Sequence, residues 1–109
     1  MHDGLWTIEF LSTLGRSGKG VVVLVGNRFL GGDAGYYYSG TYSVNDNTLT
    51  GTVNVTRFDI NNISVFGDIG QISLELEGTI SGTSINGKAW LKNNPNMTVK
   101  IICTKKEDI

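Results

Sequence analysis

The feature that most constrains this chain is a strict alternation over residues 48–58, where Leu49, Gly51, Val53 and Val55 fall on one side and Thr48, Thr50, Thr52, Asn54 and Thr56 on the other. A repeat of two places successive side chains on opposite faces of an extended backbone, so one face is core and the other meets water. Threonine is β-branched and polar, which suits the solvated face of a strand better than a helix. The same period recurs along the chain. Trp6, Ile8 and Phe10 oppose Thr7 and Glu9; Ala34, Tyr36, Tyr38, Tyr42 and Val44 oppose Tyr37, Ser39, Thr41 and Ser43. Later, Ile72, Leu74, Leu76 and Ile80 oppose Ser73, Glu75, Glu77 and Thr79; Ile85, Ala89 and Leu91 oppose Asn86, Lys88, Trp90 and Lys92. Met97, Val99, Ile101 and Cys103 close the series against Thr98, Lys100, Ile102 and Thr104.

Turn chemistry separates these runs. Residues 14–18 contain Gly15 and Gly18, Gly26-Asn27 has hairpin character, Gly31-Gly32-Asp33 reads as a sharp turn or bulge, and Asn45-Asp46-Asn47 and residues 93–96 read as turns. Fifteen glycines against one proline suit tight turns between strands that keep their amide donors. Residues 59–71 break the alternation and read as a loop with a helical turn plugging one barrel end. No window carries the i, i+3, i+4 spacing of an amphipathic helix. With 109 residues the chain holds one domain and one core. The expectation is an all-β fold: an antiparallel up-and-down barrel of about eight strands, whose closure removes free edges and leaves an interior that side chains or one small ligand fill.

The chemistry-bearing residues are sparse. His2, the only histidine, lies near the start of the sequence, so a Ser-His-Asp or Cys-His set has no well-placed base, and no catalytic residue is assigned. One histidine, one cysteine and scattered carboxylates offer no metal-ligand spacing, and no metal or cofactor is expected. Glu75 and Glu77 alternate with apolar residues and so point to water. Cys103 is in phase with the apolar row and reads as a small core residue. A lone cysteine forms no internal disulfide, and residues 1–4 carry neither a basic leader nor an apolar stretch, so a cytoplasmic location is expected. A net charge of −1 with dispersed lysines and arginines argues against nucleic acid, and no apolar run is long enough for a membrane-spanning helix.

Three regions are candidates for binding. Strand two is apolar on both faces, with Val22 and Leu24 between Val21, Val23 and Val25, so an outward apolar row there, assigned to Val22 and Leu24, points to a homodimer. Tyr37 faces outward from Tyr36 and Tyr38 and either contacts a partner or packs on a neighbouring strand. Trp6, Phe10, Tyr38 and Leu49 would line a lumen able to carry a small apolar ligand.

Gly4-Leu5-Trp6 matches the Gly-x-Trp signature of lipocalins, where the tryptophan closes one end of a ligand-binding barrel. With Gly31-Gly32-Asp33-Ala34, the run from Tyr37 to Tyr42 containing Ser39-Gly40-Thr41, and Ser64-Val65-Phe66-Gly67, the chain resembles the GrlR-like family over most of its length. That resemblance implies a reduced lipocalin-like barrel, dimeric and cytoplasmic. It further implies negative regulation of type III secretion genes by binding a helix-turn-helix activator rather than DNA. In the best-known member of that family an exposed, strongly acidic loop holds the activator. The matching turn here, Val44 with Asn45, Asp46 and Asn47, keeps a single carboxylate and is the candidate partner-binding loop.

Overall fold

The computed structural model describes residues 2–59, 61 and 70–109. They form eight strands: β1 (Gly4–Ser12), β2 (Ser17–Val25), β3 (Arg28–Gly32), β4 (Tyr36–Asn45), β5 (Thr48–Arg57), β6 (Gln71–Ser81), β7 (Ser84–Leu91) and β8 (Asn94–Asp108). Each strand pairs antiparallel with the next, and β8 returns to β1 to close the barrel. The fold is therefore all-β, with no helix among the described residues.

The alternation sets what lies inside. Leu49, Val53, Leu74, Leu76, Ile80, Ile85, Ala89, Val99, Ile101 and Cys103 are buried, while the threonines of β5 at 48, 50 and 52 are exposed. Trp6 has no exposed surface at all. Wide aromatic side chains fit a narrow barrel only where a facing position is small. Gly40 supplies such a position: a Cβ there would run into the Thr52 carbonyl oxygen and lie 2.8 Å from the Phe29 ring. The Phe29 ring meets Tyr42 edge-on, with centroids 6.2 Å apart at 69°.

Four expectations change in detail. Val22 and Leu24 point into the barrel, each 4% exposed, so they cannot form the outward row of β2; that row is Val21, Val23 and Val25. The cause is register. Val22 stands opposite Trp6 in β1 and Leu24 opposite Phe29 in β3, both inward residues. Gly31 and Gly32 are extended residues of β3, paired with Tyr38 and Tyr37, and the reversal begins only at Asp33. Ala34 sits exposed in that reversal instead of on the inward row of β4. The β7–β8 turn is shorter than residues 93–96, because β8 already begins at Asn94.

Pro95 therefore lies inside β8, where the pairing with β7 slips between Trp90↔Thr98 and Leu91↔Asn94. A bulge tolerates a residue without an amide donor, which is why the single proline does not break the strand. The loop expected over residues 59–71, like Ser64-Val65-Phe66-Gly67, falls largely outside the described residues.

Candidate functional site

The barrel has two unlike ends. At one, Trp6 closes the floor, its indole Nε1 donating to the His2 carbonyl at 3.0 Å, and the Tyr42 hydroxyl donates to the Gly26 carbonyl at 3.2 Å. Burial together with the negative charge of Asp3 raises the pKa of Tyr42. These bonds satisfy the polar tips of two aromatic residues whose bodies face the core, so neither leaves an unpaired donor inside.

At the other end stands Asp33, at the start of the β3–β4 reversal. Its Oδ1 accepts the Gly35 and Tyr36 amides, each at 2.9 Å, and its main-chain amide donates to the Tyr36 carbonyl at 2.9 Å. Its Oδ2 accepts the Tyr38 hydroxyl. This is local Asx capping, which aspartate performs readily, extended by a long side chain reaching back along β4. Space for the pair comes from Gly20 on β2, where a Cβ would lie 3.2 Å from the Tyr38 hydroxyl and 3.3 Å from the Asp33 Cβ. Burial first, and then the Asp33 hydrogen bond and charge, push the Tyr38 pKa far above the ordinary phenol value, so Tyr38 is a fixed donor.

Between floor and rim runs a cavity of about 130 Å³, lined by Trp6, Phe10, Tyr38 and Leu49 as expected for a lumen, together with Val53, Leu74, Val99 and Cys103. Asp33 is the only charged side chain among the described lining residues. Burial pushes the Cys103 thiol up to about 12, so it packs as a neutral hydrophobe and supplies no thiolate. Among the described residues no group of three His, Cys, Asp or Glu could hold a metal ion. Compared with family models and with curated proteins, the chain matches none.

The outside of the barrel is divided. Val21, Val25, Leu30 and Tyr37 are 48%, 41%, 37% and 50% exposed. Register joins them into one surface: Leu5 pairs with Val23, Val23 with Leu30, Val21 with Gly32, and Gly32 with Tyr37. Tyr37 is thus part of a patch on β1 to β4. The β4–β7 side is polar, with Thr41, Ser43, Thr50, Thr52, Glu75 and Glu77, and Trp90 beneath the Lys88 ammonium. Glu75, half-buried on the outer face, pairs with Lys92 at 4.0 Å and takes no part in the lumen.

Asn45, Asp46 and Asn47 are exposed at the Trp6 end, where Asp46 takes a left-handed conformation with φ 57. They are brought together neither with Tyr37 nor with Asp33, which belongs to the opposite end of the barrel. Asp33 is the residue that sequence reasoning missed. Its signal was a carboxylate followed after two residues by an inward aromatic row, a spacing that lets one side chain both cap a turn and reach a tyrosine hydroxyl.

Proposed function

We propose that the chain is a cytoplasmic regulatory protein, not an enzyme, that works by binding a protein partner as negative regulators of type III secretion gene expression do. The partner class it suits is a helix-turn-helix transcriptional activator, held without contact to DNA. The observation that carries this reading is the apolar surface of Val21, Val23, Val25, Leu30 and Tyr37, since a monomer seldom leaves so contiguous an apolar face in water. A second copy of the chain meeting the β2 row would form a homodimer, leaving Asn45, Asp46 and Asn47 at the Trp6 end free to contact the activator. A net charge of −1 supports a protein partner over a polyanion.

Light scattering of the purified chain at micromolar concentration should give twice the chain mass, and Leu30→Lys should return it to the monomer. Tagged wild-type chain should retain a helix-turn-helix protein from its native extract, and a chain with Asn45, Asp46 and Asn47 all changed to alanine should lose it. A monomeric wild type, or retention of no such protein, would overturn this reading. A second reading, a carrier for a small apolar molecule, is favoured by the cavity between Trp6 and Asp33.

A further inference from the structure

We propose that the lumen binds a neutral, single-ring organic molecule bearing one hydrogen-bond donor, and that Asp33 both receives this donor and excludes anions. This rests on the cavity alone, so it stands or falls separately from the protein partner.

Size sets the first limit. A cavity of about 130 Å³ is close to the roughly 150 Å³ apolar cavity that takes up benzene in another protein, and it is too small for a long acyl chain or a polycyclic ligand. The lining sets the second. Leu49, Val53, Leu74, Leu76 and Val99 offer only dispersion contacts, and the Tyr42 hydroxyl gives its proton to the Gly26 carbonyl, so the Asp33 carboxylate is the strongest acceptor that a polar group on the ligand can reach.

The chemistry at that end is one-sided. Asp33 already accepts three hydrogen bonds, from the Gly35 amide, the Tyr36 amide and the Tyr38 hydroxyl. A carboxylate has about four lone-pair sites, so one remains for a ligand donor. Tyr38 gives its only proton to Asp33 and has none for a ligand acceptor. A carboxylate ligand would put a second negative charge beside Asp33, and no cationic side chain among the described lining residues offsets that repulsion. A phenol meets every requirement, and an aromatic acid meets none beyond ring size.

Phenol, benzene and benzoate share one ring and differ in a single substituent, which makes them the probes. Chain with ¹³C-labelled methyl groups is titrated with each at pH 7 while Leu49, Val53, Leu74 and Val99 report on the lumen and Val21 and Leu30 on the outer face. Saturable shifts are expected at the lumen methyls with phenol, several-fold weaker affinity for benzene, and benzoate at least about tenfold weaker than phenol. Asp33→Asn should narrow the gap between phenol and benzoate to a few-fold. The wild-type series decides the matter even if that variant does not fold. Benzoate binding as tightly as phenol, benzene equalling phenol, shifts confined to Val21 and Leu30, or no saturable binding would each overturn the proposal.

Discussion

The Tyr38 hydroxyl donates to the Asp33 carboxylate, tying the start of β4's inward row to the reversal that precedes it. The same carboxylate holds the Gly35 and Tyr36 amides, so one side chain fixes both the turn and a barrel-lining phenol. Asp33→Ala leaves three donors short of an acceptor and should lower stability by about 2–3 kcal/mol. Tyr38→Phe removes one hydrogen bond while keeping the ring and should cost about 1 kcal/mol. Urea unfolding followed by circular dichroism measures both, and equal losses would show that Asp33 does nothing for the turn beyond serving Tyr38.

Neighbouring valines of β2 should respond in opposite ways to the same change. Val22→Lys drives an ammonium into the apolar lumen opposite Trp6 and should cost about 3 kcal/mol even where it leans towards Asp33. Measured in the Leu30→Lys background, where no dimer contact is at stake, Val21→Lys places the charge on the outer face and should change stability by no more than about 0.5 kcal/mol. Melting temperatures of the two variants check the register of β1 with β2 directly.

Gly40→Ala should destabilise by about 1–3 kcal/mol, because the added methyl meets the Thr52 carbonyl, which the sheet holds in place, and the edge of the Phe29 ring. Phe29→Leu in the same chain should recover part of the loss by vacating the ring position. A double variant no more stable than Gly40→Ala alone would assign the clash to the backbone of β5.

Alkaline stability should fall through Cys103. Its folded pKa is about 12 against an ordinary value of 9.0, so between these values the unfolded chain releases the thiol proton and the folded chain keeps it. The unfolded state then binds fewer protons, and stability declines by up to about 1.4 kcal/mol per pH unit as pH rises from 9. Tyr38, raised in the same direction, adds to the decline above pH 10. Urea unfolding of wild type and Cys103→Val at pH 8, 9 and 10 tests this: the variant should show the shallower slope, and a thiol reagent at pH 8 should leave folded wild type unmodified.

Much of the barrel was legible because strands such as β5 and β6 carry apolar residues on one face only, so burial of Leu49, Val53, Leu74 and Leu76 follows from parity. Parity was silent in β2, where both faces are aliphatic. There the decision comes from partners distant in sequence, Trp6 on one side and Phe29 on the other, and it reversed the assignment of Val22 and Leu24. Glycine pairs read as turns, yet Gly31 and Gly32 are extended because their small size serves packing across β3, not reversal. Asp33 was hidden for a related reason: a polar residue beside glycines is an ordinary turn signal, and only the fold shows that its side chain turns inward to Tyr38.

Seven of the eight ladders join strands adjacent in the chain, whereas the eighth joins Gly4 to Asp108 and Ser12 to Val99. Hairpins of the first kind can assemble early from nearby segments, but the seam between β1 and β8 must wait for nearly the whole chain to be in place, at a large loop-closure cost. Until it seals, two strand edges stand open to other molecules. Slow zippering of that seam would lengthen the time for which a newly made copy is exposed to aggregation.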